Sequence, residues 1–318
     1  MKSAVLNGTF MRAPYSAGQD RRMTELGLHR GEQSAVVSTT GGRVVSYAVA
    51  GAEILAGAEN PERFAYRGAL LAPWPNRVAG GRWTWQGSEL QLPINDPDAG
   101  AALHGLVYDE PWTVERSDDA AVTLGLELAP KPGYPFRLAM QVSYELADNG
   151  LACALTATNA GDAPAPVGLG VHPYVAAPDL VDELVVTIPA DTLLATDASW
   201  QEAGRRPVDE AGADFRAGRL LGSQELDAAF ADVRHDSAGR TEASVGLPDG
   251  RTVVVWSGAT CRWWLLYTGH TLPPADFRRS LAVEPMTCPP NAFNSGEIDI
   301  LEPGNALRLD WGFEVRGR

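Results

Sequence analysis

The strongest constraint on this chain is a missing period. No window of about 15 residues carries apolar side chains at a 3.6-residue spacing, so long amphipathic helices are excluded from the start. In their place, short apolar or alternating runs follow one another between turn signals. Ala35, Val36 and Val37 lead through Thr40-Gly41-Gly42 into Val44 to Val49, a hairpin pattern. Val114, Val122 to Leu126, Phe136 to Val142 and Leu151 to Thr158 read as sequential antiparallel strands. They are separated by Lys131-Pro132-Gly133 and Asp148-Asn149-Gly150. Val245 to Leu247, Arg251 to Trp256, Cys261 to Thr268 and a closing run, Ala306 to Val315, continue the pattern. The first 30 residues carry little pattern. Ser199 to Phe230 is polar and irregular, with one helical turn expected at Gly222 to Phe230. No composition shift marks a linker. The chain therefore reads as one all-β domain over residues 1–318, built of large packed antiparallel sheets.

Charge narrows the partners. A formal net charge of -14 argues against nucleic acid and against anionic membrane. It suits a neutral small molecule. With 45% hydrophobic residues the chain can fill a large core, and nine tryptophans offer flat faces for packing or for sugars. Cys153, Cys261 and Cys288 are far apart and no CxxC occurs, so reduced thiols are expected and neither a disulfide framework nor a zinc ribbon is indicated. The N-terminal stretch has no apolar run of signal length, and no 18-residue apolar stretch occurs anywhere, which reads as cytoplasmic. The many strand edges must be paired or covered. Whether the chain or a partner does so, and hence the oligomeric state, is open at this stage.

The chemistry concentrates in a few breaks. AVEPMTCPPNAFN (282–294) reads as the end of a strand entering a proline-rich loop, where Pro285, Pro289 and Pro290 should stop regular pairing and present Glu284. His172 ends a Gly-spaced apolar run just before Pro173, and His104 precedes Gly105. LLAPWPNRVAGG (70–81) places Asn76 and Arg77 on a stiff loop, and Asp227 lies in GSQELDAAF. A metal site of two His and one Glu lacks HExxH spacing, and a serine hydrolase lacks a GxSxG elbow. Proton transfer between a histidine acid and a carboxylate base fits best.

Five of these motifs, in order, resemble the aldose 1-epimerase (galactose mutarotase) family. They are Asn76-Arg77 after a Pro-rich loop, Leu103-His104-Gly105, Gly170-Val171-His172-Pro173-Tyr174, Leu226-Asp227 with Phe230, and Val283-Glu284-Pro285 with Pro290-Asn291-Ala292-Phe293-Asn294. The resemblance spans Val44 to Trp311. It implies a large antiparallel β-sandwich with an open sugar-binding cleft, and cofactor-independent, metal-free exchange of α and β anomers of a free aldose. By the same resemblance Glu284 is the general base at the C1 hydroxyl and His172 the general acid at the ring oxygen. His104 steadies the developing charge, and Asn76, Arg77 and Asp227 hold the substrate. An unperturbed Glu, with a pKa of about 4.3, is already a base at neutral pH. A nearby carboxylate, Glu284 or Asp227, is expected to raise the protonated fraction of His172. The chain departs from many members at Ala228, where a histidine commonly follows the aspartate. Two other readings use the same fold. One is a hexose-6-phosphate mutarotase, with Arg67, Arg77 and Arg82 as a cationic cluster. The other is a non-catalytic sugar-binding protein.

Overall fold

In the strand Leu138–Ala147 every second residue, from Leu138 to Leu146, is buried. That period of two is how one sheet face meets a core while the other meets solvent. A computed structural model describes residues 24–57, 65–197 and 202–317. Among them the strands form a twelve-stranded sheet, a nine-stranded sheet and three two-stranded ribbons.

The nine-stranded sheet begins as the expected meander. Thr113–Ser117, Ala121–Leu128, Leu138–Ala147 and Gly150–Asn159 pair in sequence. The closing strand Ala306–Arg316 then inserts beside Gly150–Asn159, followed by Thr252–Ser257, Thr241–Gly246, Val185–Thr187 and Arg219–Leu220.

The twelve-stranded sheet runs from Glu25–Arg30 through Gln33–Ser38, Val44–Val49 and Ala52–Leu55 to Tyr174–Ala176. It continues through Ser280–Met286, Trp263–Tyr267, Asp227–Val233 and Ala190–Thr196 to Glu202–Pro207. Gly170–His172 pairs with Ser280–Met286 on one side and Ala69–Leu71 on the other. Val142, Leu155 and Phe313 of one sheet and Tyr47, Phe230, Trp264 and Val283 of the other belong to one buried cluster.

Three features differ from the sequence reading. The opening residues contain a strand, Glu25–Arg30, in which only Leu28 is buried, so its alternation is too faint to read. Glu202–Pro207 and Arg219–Leu220 are strands within the polar stretch. Finally, no helical turn forms around Asp227. Asp227–Val233 is a strand paired on both sides, with Trp263–Tyr267 and Ala190–Thr196. Ladder partners on both edges outweigh the helix preference of its alanines.

Candidate active site

Glu284 does not stand on a loop beyond its strand. The strand Ser280–Met286 runs through it and through Pro285, with Leu265 opposite Glu284 and Trp264 opposite Pro285. The prolines do interrupt pairing, but only along one edge. Val283 donates its N–H to Pro173 O (3.2 Å) and Thr287 to Leu169 O (2.8 Å), so alternate residues 283, 285 and 287 face the strands around His172. Pro285 and Pro173 have no N–H to give at that seam. Gly170 pairs with Met286 and Tyr174 with Ala282, which places His172 opposite Glu284 by register. His172 Nε2 lies 3.4 Å from Glu284 Oε1.

Opposite residues of an antiparallel pair share a face. Glu284, Leu265, Tyr267 and Asp227 therefore look out from the same side of the sheet. Ala228 points to the other side, against the main core, so its departure from the family pattern does not alter the site face. Arg77 reaches this face from the ribbon Arg77–Ala79 with Ala101–Leu103. Its Nε donates to Asp96 Oδ2 at 2.8 Å and its Nη1 lies 3.6 Å from Asp227 Oδ2. The side chains of Arg77 and Asp227 are 16% and 24% exposed, so this is the wetter end of the site.

His104 follows that ribbon. It and Asn76 both adopt left-handed backbone, with φ of 62° and 55°. The two residues hold one another: His104 N–H donates to Asn76 O (2.8 Å), and Asn76 N–H donates to His104 Nδ1 (3.2 Å). A ring nitrogen that accepts a backbone N–H carries no proton, so the neutral imidazole has its hydrogen on Nε2. Asn76 is 2% exposed and its Oδ1 accepts the Arg77 N–H at 2.8 Å. This makes Asn76 a brace for the loop. Asn291, just after Pro289 and Pro290, braces the same segment by donating its N–H to Arg77 O (2.7 Å) and accepting Ala79 N–H on Oδ1 (3.1 Å).

The six sequence candidates thus lie together. The rings of His104 and His172 are 5.2 Å apart, edge to face. Sequence reasoning missed Asp96, whose carboxylate holds Arg77, and Tyr66, whose ring lies 4.6 Å from His104. Asp96 sat in a stretch read only as a loop, and Tyr66 lay outside every motif.

Electrostatics also differ from expectation. Glu284 is 1% exposed, and neither of its carboxylate oxygens has a hydrogen-bond partner among the described residues. Burial pushes its pKa well above the usual carboxylate range, with Asp227 adding to the rise and Arg77 opposing it. His172 is pushed down to about 3, chiefly by burial, with Arg67 and Arg77 contributing. Desolvation therefore outweighs the neighbouring carboxylate. His104 is also lowered by burial, and Asp227 is raised by burial against the pull of Arg77.

Each arginine named for a phosphate cluster already has a partner in the chain. Arg67 Nη2 lies 3.2 Å from Asp276, Arg77 is held by Asp96 and Asp227, and Arg82 donates to Gln91 on the surface. Among the described residues no group of three or more His, Cys, Asp or Glu could hold a metal ion. Nor, among the described residues, is any helix long and apolar enough to cross a membrane. A separate groove, lined by Thr113, Glu115, Gly125, Glu127 and Gln141 on the nine-stranded sheet, contains none of the candidates.

Two large antiparallel sheets packed on one buried cluster give the galactose mutarotase-like architecture. A GalM/aldose epimerase homologue from C. elegans superposes with a TM-score of 0.82 at 18% identity, over 92% of this chain and 99% of its own. Galactose 1-epimerase from Lactobacillus acidophilus NCFM gives 0.80 at 19% identity, over 96% and 97%. The chain belongs to the aldose 1-epimerase family, whose model matches residues 25–313. It is 35% identical to the uncharacterized protein YihR of Escherichia coli (strain K12), over 89% of this chain and 90% of that protein. It is 26% identical to the aldose 1-epimerase of the same organism, over 55% and 53% of the two chains.

Proposed function

We propose that this protein interconverts the α and β anomers of a free aldose, such as glucose or galactose, by acid–base ring opening. The observation that carries the reading is the buried pair of His172 and Glu284, with both carboxylate oxygens unpartnered on the face that also bears Asp227. Burial favours the uncharged pair: a protonated Glu284 beside a neutral His172. The working pair, Glu284 carboxylate and His172 imidazolium, holds the same number of protons. Only the position of one proton differs, across the 3.4 Å contact. A sugar hydroxyl that donates to Glu284 favours the ionised form, because it supplies the hydrogen bond the carboxylate lacks.

Glu284 then takes the C1 hydroxyl proton while His172 gives its proton to the ring oxygen. The C1–O5 bond breaks and the aldehyde forms. Rotation about C1–C2 and the reverse transfers close the ring on the other face, leaving both groups as they began. His104 Nε2–H is a neutral donor for the oxygen that gains charge. Arg77 donates to, and Asp227 accepts from, hydroxyls at the wetter end.

Polarimetry of freshly dissolved α-D-galactose and α-D-glucose tests this. Acceleration by the wild type that is lost in Glu284→Gln and His172→Ala is the expected result. A folded protein inactive on both sugars, yet active on glucose 6-phosphate, would replace this reading with the phosphorylated-sugar one. Tight sugar binding without anomer exchange would replace it with a binding role.

A further inference from the structure

We propose that the tripeptide Ala65-Tyr66-Arg67 is a clamp that positions the His172 imidazole, with Tyr66 and Arg67 as its positioning residues. The inference rests on the mutarotase reading above for its link to catalysis, but its geometry stands apart from that reading.

Three contacts from consecutive residues converge on the His172–Tyr174 pair. The ring of Tyr174 stacks on His172 at 4.8 Å and 14°, and its hydroxyl donates to Ala65 O at 3.2 Å. The Tyr66 ring lies nearly parallel to His172, at 18° with centroids 6.4 Å apart, and also meets His104. The Arg67 guanidinium lies 4.9 Å over the Tyr174 ring. The next residue continues the hold, because Gly68 N–H donates to His172 O at 2.9 Å.

The backbone that achieves this is unusual. Ala65 and Tyr66, both with a Cβ, adopt φ of 41° and 58° in succession. Non-glycine residues enter the left-handed region only where surrounding contacts over-determine them. Here the contacts include Tyr108 beside the Tyr66 ring and Arg43 on Arg67 O, together with the approach to His172 and Tyr174. Asp276 fixes the far end by its ion pair with Arg67, whose side chain is 4% exposed.

The clamp also sets charge. Glu284 faces His172 from across the seam, His104 meets it edge-on, and Arg77 acts from its ribbon. Arg67 is the cation on the clamp side, and Asp276 tempers it. Removing Arg67 leaves His172 easier to protonate, so the pH–rate profile moves up. Removing the Asp276 charge takes away a carboxylate that faces Arg67, so the profile moves down. A purely structural role predicts no such opposition.

The test compares Tyr66→Leu, Tyr66→Phe, Arg67→Met, Arg67→Lys and Asp276→Asn. It uses mutarotation kinetics, thermal melts, and NMR of the His172 ring in histidine-labelled full-length protein. Tyr66→Leu should lower kcat on the order of tenfold to a hundredfold with KM nearly unchanged. Tyr66→Phe should recover most of that loss, since the ring does the positioning. Arg67→Met and Asp276→Asn should shift the profile in opposite directions, each by about half a pH unit, with Arg67→Lys close to wild type. Unchanged kcat in Tyr66→Leu, or shifts of the same sign in the two charge variants, would overturn the clamp. If Arg67→Met does not fold, the Tyr66 pair decides. If the wild type exchanges neither sugar, the catalytic reading fails, and the ring spectra decide the clamp. Loss of Tyr66 ring shielding at His172 supports it, and an unchanged His172 resonance refutes it.

Discussion

The two sheets are built to different specifications. In the nine-stranded sheet, Leu138–Ala147, Gly150–Asn159 and Ala306–Arg316 are 10, 10 and 11 residues long and pair in unbroken register. In the twelve-stranded sheet the strands around the site are short. Ala69–Leu71, Gly170–His172 and Tyr174–Ala176 have three residues each, and prolines and left-handed residues lie between them. Regular strands maximise cohesion per residue. Broken ones aim side chains where regular pleating would not, as the lone register contact of Gly170 with Met286 shows beside His172. In the proposed reading the His172–Glu284 pair sits on the broken side, and the ribbon that carries Arg77 and leads to His104 closes over it.

The largest expected effect probes the broken side. Glu284→Gln should lower turnover by about 10²–10⁴, roughly 3–5.5 kcal/mol, with far-UV CD unchanged. Near-normal turnover would detach the seam from the chemistry. The regular side should behave in the opposite way. Leu155 is fully buried in Gly150–Asn159, and Leu155→Ala should cost about 2–5 kcal/mol in chemical denaturation while the folded fraction keeps its kcat. A large kcat loss at equal folding would show that the two sheets are coupled after all.

A smaller effect is a gain. The folded pKa of Glu284 is raised. Its contribution to stability is complete below about pH 4.3 and is lost as pH rises, by about 1.4 kcal/mol per pH unit until the folded value is passed. Glu284→Gln should therefore melt higher than wild type, and the gap should widen with pH over that range. His172 has the opposite slope. With its folded pKa down at about 3, stability is lost as pH falls from about 6.5 toward 3. A gap for Glu284→Gln that shrinks with rising pH would mean the carboxylate is ionised at no cost. Smallest of all, Arg77→Lys keeps the charge but loses the fork that spans Asp96 and Asp227. KM should rise several-fold, roughly 1 kcal/mol, with kcat little changed.

The regular sheet was legible because its period shows in the residues: Leu138 to Leu146 alternate, and Asp148-Asn149-Gly150 turns the chain. Of the candidate site, Glu284, His172, His104, Asn76, Arg77 and Asp227 were named from motifs. Their geometry was not. Prolines at 173 and 285 read as strand stops, because the sequence does not show that an interior strand has two edges. Pairing with Trp263–Tyr267 survives on the edge that Pro285 does not serve. The effect of burial on protonation was hidden for a related cause. Model-compound values assume water, and register buries both partners. Asp96 and Tyr66 were illegible because their partners are brought to them only by the fold.

The seam has a consequence for how the molecule exchanges its protons with solvent. Two of its positions, Pro173 and Pro285, carry no amide hydrogen, and the paired register is interrupted between Gly170–Met286 and Tyr174–Ala282. Deuterium uptake should therefore divide the twelve-stranded sheet into two separately protected panels. One would end at Ser280–Met286 and the other at the strands carrying His172, so that the sheet could flex along this line without first opening the long ladders of its partner.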